Sequence, residues 1–327
     1  MNTQEVAVEG SVGTPVAVER GDGQGVFRVL SLDGGGAKGF YTIGVLKEIE
    51  GIVKVPLCER FHLIFGTSTG AIIAALLGLG RSVDDVHALY KQHVPAIMRR
   101  WTARGKTKAL KKLAGEVFGE LKFDGFKTGV GLVATHWEFE KPIVFKGSVE
   151  QAHGQKGTFV PGFGCKVADA VQASCSAYPF FKRPRLRTSK GEDVEMADGG
   201  FCANNPTVYA ITDALRALKQ ERGNLRVVSL GVGTYPEPKR AFYKRVINNF
   251  ITVRLLQKTL NVNTGSMEQL RQLLFGDVRT VRISDTFAKP EMATDLMEHN
   301  LRKLEILYQR GQESFAHHEK ELREFLL

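Results

Sequence analysis

One serine lies in a setting that favours a nucleophile. Ser68 stands between Gly66 and Gly70 in the pattern G-x-S-x-G, after the apolar run 61–65 and before the apolar stretch 71–77. This order predicts a strand, a sharp turn and a helix, the arrangement called a nucleophile elbow. The glycines leave room beside a strained turn, and the helix N-terminus favours a developing oxyanion. The alternative is a glycine-rich strand–helix loop with an idle serine.

A serine nucleophile needs a base. An ordinary hydrolase triad runs serine, aspartate, histidine along the chain. Asp198 follows a short strand predicted at 194–197, which is where a base is expected. The histidines after it lie in charged, helix-like sequence without a strand-end loop. These are His299, His317 and His318. The sequence therefore argues against a triad and leaves Asp198 as the candidate base, or as an ordinary turn aspartate.

A run of glycines offers donors for an oxyanion. Gly34, Gly35 and Gly36 follow an apolar strand predicted at 26–32. Consecutive glycines let several backbone N–H groups point at one anion. The stretch also fits G-x-G-x-x-G, but the acidic residue expected at the end of the next strand is missing, and no P-loop lysine follows. A non-catalytic nucleotide-binding module stays as the alternative function.

The elements that must position these residues begin as strand, glycine loop, helix, strand, elbow and helix, which predicts a parallel sheet. Further strands are predicted at 129–135, 142–145, 194–197, 225–230 and 278–283. Further helices are predicted from Ser82 to Met98 and over 167–176, 207–221 and 241–275. The segment 292–325 is predicted to form two helices broken near Gly311.

The chain has 327 residues, 43% of them hydrophobic, which fits one large α/β domain. We expect residues 1–25 to be a disordered arm and 26–327 to be a single domain, mostly helical over 236–327. The four cysteines show no C-x-x-C spacing, so we expect neither a metal site nor disulfides, and a reducing cytoplasm. The longest apolar run is too short to span a bilayer.

The net charge of +10 favours an anionic partner. The stretch Arg99–Lys112 holds seven basic residues, no acidic residue and Trp101. It is either a solvated helical face or a basic lip that docks on anionic lipid. A nucleic-acid binder is not expected, because no array of stacking aromatic residues accompanies the charge.

Three segments together resemble the signatures of the patatin-like phospholipases: Asp33–Gly39, Gly66–Gly70 and Asp198–Gly200. The segments Ala173–Pro179 and Leu230–Thr234 are also similar to that family. The resemblance implies a three-layer α/β fold with a mainly parallel central sheet, helices on both faces, and hydrolysis of glycerophospholipid acyl esters by a Ser–Asp dyad. The positions that it implies are Ser68 as nucleophile, Asp198 as base, Gly34, Gly35 and Gly36 as oxyanion loop, and Lys38, Gly66, Gly70 and Gly199 as supporting residues.

The opening segment 28–41 is similar to bacterial patatin effectors of antiphage defence that cyclic GMP-AMP activates. That likeness implies membrane phospholipid as substrate and a cyclic dinucleotide, 3′,3′-cGAMP, as activator, with no other cofactor. It also implies a cytoplasmic protein that associates with the inner membrane when active, and a homo-oligomer is compatible with it. The basic region 239–258 is our candidate place for the nucleotide. An unregulated patatin-type lipid hydrolase or acyltransferase stays as the alternative.

Overall fold

The computed structural model describes residues 25–155, 157, 159–238 and 247–327. The arm expected at 1–25 therefore lies, apart from Gly25, outside the described residues. So do residues 239–246 of the region expected to bind a nucleotide.

The described strands form one mixed, mostly parallel sheet of eight strands. They are β1 Phe27–Leu32, β2 Leu63–Thr67, β3 Gly129–His136, β4 Lys141–Lys146, β5 Arg185–Arg187, β6 Asp193–Asp198, β7 Leu225–Leu230 and β8 Arg279–Ile283. Their order is β5-β6-β3-β2-β1-β7-β8, and β4 pairs with β3. Five neighbouring strands are parallel to one another, namely β3, β2, β1, β7 and β8. The other three pair antiparallel: β4 and β6 with β3, and β5 with β6. The central strand β1 is buried on both faces because helices cover both.

The helices lie on the two faces of this sheet. They are α1 Gly39–Val53, α2 Leu57–Arg60, α3 Thr69–Gly78, α4 Val83–Met98, α5 Ala103–Phe118, α6 Val167–Ser174, α7 Gly200–Ala203, α8 Thr207–Arg216, α9 Ile247–Phe275 and α10 Leu301–Leu326. Leu30 and Leu32 of β1 pack with α1, α3 and α10, whereas Phe27 and Val29 pack with α8 on the other face. This alternation gives two buried cores and the three-layer α/β fold that was predicted. No helix in the described part of the chain is both long and apolar enough to cross a bilayer.

Two strands meet end to end beside β3. The last residue of β2, Thr67, pairs with Val133, and the last residue of β6, Asp198, pairs with Ala134. β2 runs parallel to β3 and β6 runs antiparallel to it, so their carboxyl ends point at each other. Because β4 occupies the other edge of β3, both strands share one edge. The turns that follow β2 and β6 are thereby brought to the same place.

The predicted break near Gly311 is wrong, because α10 is one continuous helix. Gly311 instead allows α10 to cross α1 in close contact. A Cβ on Gly311 would lie 2.0 Å from the carbonyl oxygen of Tyr41, and a Cβ on Gly44 would lie 2.0 Å from that of Tyr308. The two glycines therefore let the helix backbones touch. The predicted helix 207–221 is also shorter in the structure, since α8 ends at Arg216.

Candidate active site

Ser68 stands in the sharp turn between β2 and α3. Its backbone has φ 52° and ψ −120°, a conformation that non-glycine residues rarely adopt. A Cβ on Gly66 would lie 2.2 Å from the Gly70 oxygen, and a Cβ on Gly70 would lie 2.3 Å from the Leu32 oxygen. Only glycine fits at these two positions. The structure thus has the elbow geometry that the sequence predicts.

Asp198 ends β6 and contacts the serine directly. Ser68 Oγ donates a hydrogen bond to Asp198 Oδ2 at 2.7 Å, and the backbone N–H of Gly200 donates to Asp198 Oδ1 at 2.7 Å. The carboxyl group is buried, and burial raises its pKa to about 7 although both hydrogen bonds lower it. Such a carboxylate can accept the serine proton near neutral pH.

The end of α6 connects the two turns. Ser174 Oγ accepts from the backbone N–H of Ser68 at 2.9 Å and donates to the Val133 oxygen at 2.6 Å. The oxygen of Ser176 accepts from the backbone N–H of Asp198 at 3.1 Å. This segment therefore fixes the serine turn relative to the aspartate turn. The segment 173–179 resembles the family in sequence, but no local pattern there predicts a role for either serine at the site.

The glycine loop lies beside the dyad, but its three N–H groups are not equivalent. Gly34 N–H donates to the Asn204 oxygen at 2.9 Å, and Asn204 Nδ2 donates to the Gly34 oxygen at 3.1 Å. The N–H group of Gly34 is thus already bonded within the protein. In the described part of the chain the N–H groups of Gly35 and Gly36 donate no hydrogen bond, and both residues line the cavity at Ser68. These two remain as candidate oxyanion donors.

Buried charged side chains stabilise the ends of the glycine loop. Arg282 on β8 forms a two-pronged ion pair with Asp33, with 2.8 Å between Nη1 and Oδ1, and also donates to Ser229 Oγ at 2.7 Å. Burial raises the pKa of Asp33, and Arg282 counteracts that shift. Lys38 is buried after the loop, and burial lowers its pKa to about 8 while Asp295 and Asp33 oppose the shift. The sequence does not predict Arg282 at the site, because nothing in the alternating strand 278–283 distinguishes it from the other polar residues there.

The remaining supporting residue, Gly199, follows the base. A Cβ there would lie 2.1 Å from the Val133 oxygen, so the aspartate turn packs directly on β3. Lys38, Gly66, Gly70 and Gly199 thus shape the turns, and none of them lines the cavity.

Ser68 and Asp198 open into an apolar cavity of about 60 Å³. Side chains of α3, α4, α5 and α9 form its walls, including Leu110, Leu113 and Leu260. An apolar lining suits an acyl chain, but ligand pockets usually measure about 300–1,000 Å³. The cavity must therefore widen before a lipid chain can enter. Among the described lining residues there is no histidine.

The other nucleophile near the site is Cys175. Its thiol donates to the Ser68 oxygen at 3.0 Å, and burial raises its pKa well above the usual value, so it stays a neutral thiol. In the described part of the chain no group of three or more His, Cys, Asp or Glu side chains could hold a metal ion.

Comparison with known proteins identifies the family. Residues 30–211 match the family model described as patatin-like phospholipase. The chain therefore belongs to the patatin-like phospholipases and is a serine acyl hydrolase. This assignment agrees with the fold and with the resemblance seen in the three glycine-containing segments.

Three relatives illustrate the range of similarity. The chain is 59% identical over 302 residues to the cUMP-AMP-activated phospholipase of Escherichia coli, covering 92% of this chain and 94% of that protein. It is 30% identical over 238 residues to the cGAMP-activated phospholipase of Vibrio cholerae, covering 64% of each. It is 27% identical over 248 residues to Patatin-like protein 4 of Arabidopsis thaliana, covering 63% and 59%.

Proposed function

We propose that this enzyme hydrolyses acyl esters of membrane glycerophospholipids with Ser68 as nucleophile and Asp198 as base, and that a cyclic nucleotide activates it in bacterial antiphage defence. The observation that supports the catalytic roles is the 2.7 Å hydrogen bond from Ser68 Oγ to the buried Asp198 carboxylate at the end of an apolar cavity. We expect the enzyme to work from the cytoplasm on the inner membrane.

In the reaction Asp198 accepts a proton twice and releases it twice. As Ser68 Oγ attacks the ester carbonyl, its proton passes to Asp198 Oδ2, and the N–H groups of Gly35 and Gly36 hold the oxyanion. The carbon–oxygen bond to the lysolipid breaks, and the lysolipid oxygen takes the proton. Water then gives a proton to Asp198 and attacks the acyl-serine. The fatty acid leaves, and the proton returns to Ser68.

Regulation is supported by the relatives. An activator has to bind the active arrangement more tightly than the idle one. The relative that is 59% identical is named for cUMP-AMP, whereas the relatives named for cGAMP are 28–30% identical. We therefore propose cUMP-AMP as activator in place of 3′,3′-cGAMP.

The catalytic roles are tested by Ser68→Ala and Asp198→Ala. Each should abolish fatty-acid release from phospholipid vesicles, and the double variant should be no worse, because residues that act as a unit do not lose activity additively. Ser189→Ala, at an exposed serine outside the cavity, is the control and should retain activity. Substantial release by a folded Ser68→Ala protein would disprove the assignment.

Activation is tested by fatty-acid release without nucleotide, with cUMP-AMP and with 3′,3′-cGAMP, beside calorimetric titration of each nucleotide. We expect slow basal release, strong stimulation by cUMP-AMP and weaker stimulation by cGAMP. Fast release without nucleotide, together with no heat of binding, would identify an unregulated patatin-type hydrolase.

A further inference from the structure

The corner between α4 and α5 displays a group of cations around one tryptophan. We call residues 99–112 the basic corner. Six of its seven basic side chains are exposed: Arg99, Arg100, Arg104, Lys108, Lys111 and Lys112. Trp101 between them is 83% exposed.

Most of these cations lack a carboxylate partner. Within the described residues, Lys112 alone among the six has one in ion-pair distance, with its Nζ 3.5 Å from Glu116 Oε1. Some exposed basic side chains elsewhere are paired, for example Lys166 with Glu120. The corner is thus a local excess of positive charge that an anionic surface would complement.

The corner is held in a fixed shape. Its seventh basic residue, Lys106, is only 4% exposed, and its Nζ donates to the Met98 oxygen at 2.6 Å, where α4 ends. Thr102 caps α5 by accepting from Gly105 N–H at 3.0 Å. The exposed tryptophan therefore sits on a braced turn. Lys106 has a structural role and does not belong to the exposed group.

The opposite face of the same helix forms part of the catalytic cavity. Leu110, Leu113 and Val117 of α5 line it, as does Met98 at the end of α4. Thr107 Oγ1 also accepts from the backbone N–H of Lys182 at 2.8 Å, next to the cavity-lining Phe181. The charged face of α5 is therefore separated from the acyl cavity by the width of one helix.

We infer that the basic corner docks the enzyme on an anionic phospholipid surface. The exposed cations contact lipid phosphates, and Trp101 sits at headgroup level, which is where tryptophan is favoured. Docking there brings the helix that walls the acyl cavity against the lipid. This inference rests on the proposed function, since it names the form in which that site meets its substrate.

The test compares two variants of equal charge change. Arg99→Glu/Arg100→Glu/Arg104→Glu alters the corner, and Arg216→Glu/Arg302→Glu/Lys320→Glu alters exposed basic residues elsewhere. Both are made in Ser68→Ala protein, so binding is measured without hydrolysis and does not depend on the catalytic proposal. Sedimentation with phosphatidylglycerol vesicles should show about 100-fold weaker partitioning for the corner variant and little change for the control.

Three further measurements complete the test. Trp101→Ala should weaken binding to phosphatidylglycerol and phosphatidylcholine vesicles alike, because its contribution does not depend on lipid charge. The corner variants in active protein should still hydrolyse a soluble short-chain ester at the unaltered rate, which shows that they are folded. The milder Arg→Gln triple variant should lose less binding than the Glu variant, because it removes the charges without reversing them.

Equal losses for the corner and control variants would overturn the inference, because net charge alone would then explain the binding. Unchanged vesicle binding by the corner variant would overturn it as well. So would loss of cUMP-AMP binding with vesicle binding intact, because the corner would then be a nucleotide site.

Discussion

At the scale of single residues, the candidate base Asp198 is a carboxylate at a position where many hydrolases use histidine. A solvated aspartate has a pKa near 3.9 and is a weak base for a serine hydroxyl. Burial raises the pKa of Asp198 to about 7, within the range of an ordinary histidine. The environment of the side chain, more than its type, therefore sets its basicity.

This pKa predicts a pH dependence. Below about pH 7 Asp198 is protonated and cannot accept the serine proton, so kcat/KM should fall about tenfold for each further pH unit. Above that pH the carboxylate is ionised and the rate should level off. The measurement is kcat/KM between pH 5 and 9 on a soluble ester, which avoids titrating a lipid surface. A profile that is flat down to pH 5 would contradict the raised pKa.

The sequence predicts Ser68 and Asp198 because each lies in a short motif beside a strand. It does not predict Asn204, Arg282 or Ser174 at the site, because their contacts come from distant parts of the chain. Arg282, for example, reaches Asp33 across 249 positions. Such contacts follow from strand order, which no local pattern encodes.

At the scale of elements, apolar runs and caps locate most of the strands and helices. Ser82 begins α4 with a capping box to Asp85, as a serine followed by acidic residues suggests. Gly311 was misread because glycine both disfavours helix and permits close helix packing, and only the partner helix shows which applies. The meeting of β2 with β6 was likewise not predictable from either strand alone.

The crossing of α1 and α10 can be tested at its glycines. Gly311→Ala and Gly44→Ala should each lower the free energy of unfolding by about 1–3 kcal/mol or more, because the methyl group overlaps a backbone carbonyl. Gly51→Ala is the control in α1. Nothing lies within 4 Å of its Cβ position, so it should raise stability by about 0.5–1 kcal/mol. Urea denaturation measures all three, and a stabilising Gly311→Ala would contradict the close crossing.

At the scale of the whole molecule, the last strand and helix pack beside the first strand and helix of the described residues. β8 pairs with β7 beside β1, and α10 packs on α1. Asp33 at the end of β1 is paired with Arg282 at the end of β8. Residues 26–327 are therefore still expected to behave as one domain, as the sequence suggested from the lack of a linker.

Arg282→Gln tests whether residues 26–327 unfold as one unit. It leaves Asp33 buried without its cation, which should cost about 3–5 kcal/mol of unfolding free energy. Arg302→Gln, at an exposed site, should stay within about 0.5 kcal/mol. If the chain is one unit, circular dichroism and tryptophan fluorescence should report the same shifted transition. Two separate transitions would show that the C-terminal part unfolds alone.

The bracing of the glycine loop also bears on when activity can arise during synthesis. The backbone N–H of Ala37 donates to the Leu296 oxygen at 3.0 Å, and Asp33 needs Arg282. During translation, Ser68 and Asp198 are therefore synthesised well before Arg282 and Leu296, which support the loop of the candidate oxyanion donors. We expect unfinished chains to be inactive towards the membranes of the cell that makes them. With cUMP-AMP present, chains stopped before residue 282 should release no fatty acid, and full-length translation products should.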